Sequence, residues 1–560
     1  MSIPVKNKFT WLVAITVIFL MSVIWNKKLM KFSSLRGNDQ SCPTVKEEQT
    51  ANSVPEGTQM SVKAQEKTPV TGPPTELQLN IKNIFEKIER SLPKVTMTNW
   101  KTSTSGKNSK GFIANPKDKY CVGDVLTVQY DMYDHLGNRK TYGGDFLRPR
   151  IFTPEVNAGA TGKVEDFNNG TYHIHFILSW EGKVRVSTQL FHPSEGVAAL
   201  WRSRHASLGV LGFQGRFKSA TAEAITECGF KLETDKEVCE YIDQRDEEAY
   251  YCIKPPNLPC GSLNDMRAVD LHSSHLSAEE RPLFERSNIG VEITRNFESI
   301  DVHECNETKS KPTEKCRTGM ESPFPSGYFL QNKWYPYFCN MVFYKTGDDY
   351  LNCLQGKRLF LIGDSTLRQY IMYFTEHIKI MKYFQHHEGG WSSWEKTLLA
   401  IHMDRDIMVS YKRHGFPLES FMFYLFKEDK YTSRQIDEQG GGSNTIFVIT
   451  MGQHFRQFPL ELYIKRSLNI RKAIERLLTR SPDAKVIIKT ENTRDTNTAV
   501  ERLSDFHGYC QHLVFKEVFK GLNVGFVDAL DMSYALATES VHPPLHVLEN
   551  IMSLTFTYSC

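Results

Sequence analysis

Gly363-Asp364-Ser365 stands where a short apolar run, Arg358-Leu359-Phe360-Leu361-Ile362, gives way to a segment with helical spacing, Leu367, Tyr370, Ile371 and Phe374. Position gives this serine its meaning. In an open parallel sheet, ligands bind beyond the carboxyl ends of the strands. A serine that begins a helix there lies beside backbone N–H groups able to stabilise an oxyanion. Gly363 permits the tight turn, and Asp364 can accept the hydrogen bonds that fix it. Asp and Ser are also ordinary helix caps, so the tripeptide needs a partner base before it implies catalysis. Val541-His542-Pro543-Pro544 supplies one: the prolines fix the backbone after His542 and launch a last helix through Val547, Leu548, Ile551 and Leu554. Glu539, three residues earlier, is placed to orient the imidazole. Nucleophile, base and orienting carboxylate together make ester cleavage or acyl transfer the chemistry to expect.

Other candidates reduce to plainer readings. Gly440-Gly441-Gly442-Ser443 lacks the Lys-Ser/Thr ending of a phosphate loop and reads as a flexible connection. Gln385-His386-His387-Glu388 reads as a polar loop, and Trp391 and Trp394 as packing residues, so no metal ligand set is expected.

The elements that must hold Ser365 and His542 follow from the patterning. After Arg358–Ile362, apolar strands at Thr445–Met451, Lys485–Lys489 and Val524–Val527 alternate with helices at Pro459–Arg480 and Ala499–Lys520. Such alternation predicts a parallel sheet with crossover helices over residues 334–560. Residues 78–225 begin with a short amphipathic helix and then turn β-rich. Asn168-Asn169-Gly170 opens a hairpin into Tyr172, Ile174, Phe176, Leu178 and Trp180, and Glu181-Gly182-Lys183 turns into Val184, Val186, Thr188 and Leu190. Alternation at period two predicts an antiparallel sandwich. Residues 226–333, rich in cysteine and proline with little periodicity, read as a disulfide-stapled connector.

The N-terminal end sets the compartment. Residues 9–25 are apolar and uncharged, at the short end for a membrane helix. They end in Trp25-Asn26-Lys27-Lys28 without a small-residue cleavage site, which predicts an uncleaved anchor after a cytoplasmic tail of residues 1–8. Cleavage would instead release a secreted protein. Residues 26–77 are polar and form a disordered stalk. Lys27, Lys28, Lys31 and Arg36 outnumber Lys6 and Lys8, which by the positive-inside rule alone keeps the body cytoplasmic. Twelve cysteines without a C-x-x-C pair, and the sequons at Asn169 and Asn306, point to a lumenal body and a type II topology. The balance of 68 basic and 65 acidic residues excludes a chain-wide electrostatic attraction to nucleic acid. The membrane contact expected is the chain's own helix.

The segments Arg358–Arg368, Ile449–His454 and Val541–Pro544, with the Asn168–Tyr172 hairpin and Trp180-Glu181-Gly182, resemble the NXPE family, which joins a neurexophilin-like domain to a PC-esterase domain. The resemblance implies an α/β SGNH-like domain with a flavodoxin-like parallel sheet, beside an all-β immunoglobulin or filamin-type sandwich and an N-terminal transmembrane helix. It implies O-acyl chemistry, of the O-acetyl class, on glycan hydroxyls in the Golgi or elsewhere in the secretory pathway. Ser365 matches the family nucleophile, His542 the base, and Arg368 the Gly-Asp-Ser-x-x-Arg pattern of transferase relatives. Gly452 with Gln453 or His454 falls where an oxyanion block is placed. Glu539 stands where the family pattern usually has Asp, with Asp528 and Asp531 as alternatives, and the usual oxyanion Asn is absent. The acceptor would be a glycan or glycoprotein. No cofactor is implied, beyond an acyl donor such as acetyl-CoA if the reaction is a transfer. A second reading stays open: a non-catalytic glycoprotein whose sandwich binds a cell-surface receptor, as neurexophilins do.

Overall fold

The computed structural model describes residues 73–560, apart from 207–210, 272–273, 294–296, 306–311, 379–380, 386–397, 427–429 and 495–498. The expected anchor and most of the stalk lie outside the described residues. So do Cys42, Asn306, His386, His387, Glu388, Trp391 and Trp394.

Period-two alternation gives each strand one wet and one dry face. Strands β1 (Lys110–Ile113), β2 (Val125–Asp131), β3 (Lys163–Asp166) and β4 (Thr171–Ile177) form an antiparallel sheet in the order β1-β2-β4-β3. Leu126, Val128, Ile174 and Phe176 from its dry face share one core with Ile151 and Val184 of an eight-stranded sheet. That second sheet runs in the order Lys333–Pro336, Gly327–Leu330, Ala158–Thr161, Phe146–Thr153, Gly182–His192, Ile300–His303, Tyr120–Cys121. Val291–Glu292 pairs onto Gly182–His192 off this path.

The stretch expected as a connector builds structure of its own. Val238–Asp243, Glu248–Ile253, Glu223–Gly229, Leu211–Lys218 and Leu263–Asp270 lie side by side, and Tyr424–Leu425 from far along the chain completes this six-stranded sheet. Disulfides Cys228–Cys252 and Cys239–Cys260 staple it, and Cys316–Cys339 closes locally. Cys305 reaches back to Cys121 and Cys353 forward to Cys560, while Cys510 is free and buried.

The last sheet has seven strands: β5 (Arg358–Gly363), β6 (Lys382–Gln385), β7 (Leu398–His402), β8 (Ile407–Arg413), β9 (Thr445–Ile449), β10 (Lys485–Lys489) and β11 (Gly525–Val527). Their order is β6-β7-β8-β5-β9-β10-β11. The five from β8 to β11 run parallel to their neighbours, and β6 and β7 form an antiparallel edge. Both faces are covered, which is why the central strands read as unbroken apolar runs. Helices α1 (Ser365–His377) and α5 (Leu545–Ser559) pack Tyr370, Phe374 and Phe556 against Leu359 and Leu361 on one face. Helices α2 (Leu460–Arg480) and α3 (Asp505–Val518) pack Ile474 and Val514 against Phe447 and Ile449 on the other.

The expected fold class is corrected by this architecture. The described chain is predominantly β-sheet in four sheets, not a parallel α/β domain beside one sandwich. The C-terminal sheet is mixed, because the residues between α1 and β8 return as antiparallel strands instead of a crossover helix. No described helix is long and apolar enough to cross a membrane, and residues 9–25 are not among those described.

The sheets meet through buried polar contacts. Helix α4 (Ala529–Ala535) carries Asp531, which accepts hydrogen bonds from Thr161 Oγ1 and from Ser326 N and Oγ, the last at 2.7 Å. A Cβ on Gly159 would lie 2.2 Å from the Ala535 carbonyl oxygen, so only glycine fits where that strand meets α4.

Candidate functional site

β5 is central in its sheet, between β8 and β9. A Cβ on Gly363 would lie 2.6 Å from Thr450 O, so the glycine allows β5 to end against the residue after β9. Asp364 then caps α1 and Ser365 is the helix's first residue. The buried Asp364 carboxylate accepts hydrogen bonds from Thr366 N (2.9 Å) and Thr366 Oγ1 (2.7 Å), and from Gln453 N (3.4 Å). Burial alone would raise its pKa. The positive field of Lys489, with the hydrogen bond from the Thr366 hydroxyl, outweighs burial and holds it well below the usual carboxylate range.

His542 Nε2 and Ser365 Oγ are 2.8 Å apart, a hydrogen bond across 177 residues of sequence. His542 is exposed, on the segment that leads into α5 with Pro544 as its N-cap. The backbone holds it: Asn492 Nδ2 donates to the Val541 carbonyl (2.8 Å), and His542 N donates to Ser540 Oγ (3.2 Å). Partial burial lowers the His542 pKa. Asp364 opposes that shift, while Arg368, Arg494 and Lys489 add to it.

The other expected residues fall into place less uniformly. Glu539 is exposed and makes no hydrogen bond or ion pair with His542. Asp528 caps α4 and accepts from Asp531 N (3.2 Å), and Asp531 is taken up by Thr161 and Ser326, so neither aspartate orients His542. Gly452, Gln453 and His454 do sit together beyond β9. A Cβ on Gly452 would lie 2.2 Å from Glu491 Cγ, which explains the glycine by packing. The Gln453 amide is committed to Asp364 and its side chain to Asn492 O (3.0 Å). His454 Nδ1 accepts from Glu419 N (2.9 Å), which places its proton on Nε2 as a donor. Arg368 is half-buried in the first turn of α1. Asn169 is exposed at the tip of the β3–β4 hairpin.

Several residues of the site were not anticipated. Lys489, fully buried at the end of β10, donates to Thr366 Oγ1 (3.2 Å), Thr490 O (3.0 Å) and Asn492 Oδ1 (3.2 Å), and burial brings its pKa down to about 8 against the pull of Asp364 and Glu491. Asn492 thus links Lys489 to the His542 segment. Behind them Arg456, fully buried, bonds Glu491 (2.7 Å) and Asp505 (2.9 Å). His414 lies buried just past β8, its ring 5.3 Å from His454. The available signal was the polar run Lys489-Thr490-Glu491-Asn492 directly after an apolar strand, the same placement that drew attention to Ser365.

Two family models match this chain. The model of the NXPE family member 4-like C-terminal domain matches residues 334–560, which hold Ser365, His542 and the buried network between them, and the neurexophilin model matches residues 113–269. Five disulfides and a neurexophilin-like domain belong to a secretory or extracellular protein. The two matches lie in the order the motifs require and together span most of the chain, which belongs to the NXPE family.

Proposed function

We propose that this protein is a serine O-acyltransferase or esterase acting on glycan hydroxyls in the secretory pathway, anchored as a type II membrane protein. The observation that carries this reading is the 2.8 Å contact between Ser365 Oγ and His542 Nε2 at a strand end and a helix N-terminus. Ser365 attacks the acyl carbonyl while His542 takes its proton. The negative charge developing on the carbonyl oxygen is met by the amide at the start of α1. The leaving alcohol or donor group receives the proton from His542, and a sugar hydroxyl or water then releases the acyl group by the reverse sequence. The Asp364 carboxylate, ionised and buried nearby, favours the imidazolium through space, a role often filled by a residue bonded to the ring. A transferase would draw on a donor such as acetyl-CoA.

A serine-directed fluorophosphonate tests the pair. The probe is expected to modify Ser365, located by mass spectrometry of the digested protein, and to leave His542→Ala unmodified. Because the His542 pKa is lowered, the ring stays neutral to lower pH than an ordinary histidine. The labelling rate should therefore fall only below the usual imidazole range near pH 6.5; a rate that declines from higher pH opposes this mechanism.

Asn492→Ala removes the amide that holds the Val541 carbonyl and the oxygen that receives Lys489. Misplacement of His542 should lower kcat/KM by on the order of 10²-fold, with the fold retained by circular dichroism. Unchanged kcat/KM removes Asn492 from the positioning apparatus.

The receptor-binding reading is favoured by one observation: among the described residues, no carboxylate is bonded to His542. Complete inertness to the probe, with tight binding of the sandwich to a cell-surface protein, would establish it in place of the enzyme.

A further inference from the structure

The outer face of the four-stranded sheet holds chemistry that the acyl site does not use. His173 and His175 alternate along β4 with the buried Tyr172, Ile174 and Phe176, so both imidazoles leave the strand on its wet side. Glu165 on β3 and Gln129 on β2 stand opposite His173, one on each side. Donor atoms of Glu165, His173 and His175 all lie within 4.8 Å of one another. Glu165 Oε2 is 3.1 Å from His175 Nε2, and Gln129 Oε1 is 3.1 Å from His173 Nε2.

We propose that Glu165, His173 and His175 bind a divalent transition-metal ion of the zinc and copper class. Two imidazoles and a carboxylate suit these ions and do not suit calcium or magnesium, which prefer oxygen ligands throughout. Ligands about 2.0–2.2 Å from a tetrahedral zinc lie roughly 3.3 Å from each other. The Glu165–His175 pair already has that separation, and a small rotation of the His173 side chain brings in the third donor. The strand supplies the preorganisation, since residues two apart project side by side from a rigid sheet. Thr127 Oγ1 lies 3.1 Å from His175 Nδ1, where it can accept the Nδ1–H and leave the Nε2 lone pair for the ion. His175 is 32% and Glu165 54% exposed, so the ion enters directly from solvent and its remaining position is open to water or to Gln129 Oε1. In the sequence, His173-x-His175 occupies two ordinary outward positions of a β-hairpin strand.

The test uses the untagged full-length glycosylated chain, stripped with chelator and titrated with Zn(II) and with Cu(II) against a chromophoric competitor. One equivalent of at least one ion is expected to bind, and His173→Ala, His175→Ala and Glu165→Gln should each weaken it more than about tenfold. Bound ion should raise the melting temperature of the parent protein but not of the His173→Ala/His175→Ala double variant. All three side chains point outward, so the metal-free variants should melt with the parent, and loss of binding then reports ligation and not unfolding. Absence of a saturable equivalent in the parent for both ions overturns the proposal. So does an equivalent that the double variant retains at undiminished affinity.

Discussion

Ser365→Ala should reduce ester cleavage or acyl transfer on glycan substrates by on the order of 10³-fold or more. His542→Ala should cost about as much, and the double variant little more than either, because nucleophile and base act as one unit. The size of the effect follows from geometry. The hydroxyl is a weak nucleophile without a base, and the only base within hydrogen-bonding reach of Ser365 among the described residues is His542 at 2.8 Å. The fold should not suffer: Ser365 is partly exposed, and its side-chain hydrogen bond runs to an exposed ring. Unchanged thermal unfolding is therefore the control that assigns the loss to chemistry. Glu539→Gln provides the contrast. With Glu539 exposed and out of contact with His542, activity should stay within about twofold of the parent, as for a surface position away from special contacts. Activity that survives Ser365→Ala would overturn the mechanism.

Arg456→Met should destabilise the protein by about 3–5 kcal/mol, the usual consequence of removing one partner from a buried ion network. The guanidinium is fully buried and donates to Glu491, Asp505, Leu503 O (2.9 Å) and Asn492 O (3.1 Å). Methionine fills part of the volume but leaves Glu491 without its cation and Asp505 with only Arg148, 3.4 Å away. α3 is shaped around this arginine: a Cβ on Gly508 would lie 2.5 Å from Arg456 Nη2, so the helix carries a residue of low helical propensity to make room. The deficit should depend on pH with a definite sign. Burial already raises the Glu491 pKa against the pull of Arg456. Without Arg456 the folded-state pKa rises further above the unfolded value. The penalty is then small below the unfolded pKa, where the group is protonated in both states, and grows as pH rises toward the folded pKa. Urea unfolding at pH 7 and pH 5 should show the larger deficit at pH 7. Equal stability of parent and variant at pH 7 would show that the network contributes nothing.

Ser365, His542 and Asp364 were legible because each is marked locally, by a strand end, a proline pair or a helix start. The helices α2 and α3 were legible by their spacing. The network beneath the site was not, because Arg456, Glu491, Asp505 and Arg148 are drawn together across up to 357 residues, and no local pattern pairs a charge with a distant partner. Local reasoning also favoured Glu539, three residues from His542. The turn before α5 instead leaves its side chain in solvent, and the orienting contact to this segment comes from Asn492. The strands of the disulfide-stapled sheet pair out of chain order and take Tyr424–Leu425 as an edge, so their arrangement became readable only in three dimensions.

The buried seam at α4 limits how freely the pieces of this protein could be traded. Asp531 draws its hydrogen bonds from Thr161 and Ser326, and Gly159 is shaped to the end of the same helix. Excising the sandwich as an independent module would leave a carboxylate without donors on one side and a bare glycine strand on the other. Its neurexophilin-like part is thus committed to its neighbour. Recombination that exchanged it for a foreign sandwich would have to carry Gly159, Thr161 and Ser326 along with it, and a protease acting between the two parts would cut the chain without releasing either of them.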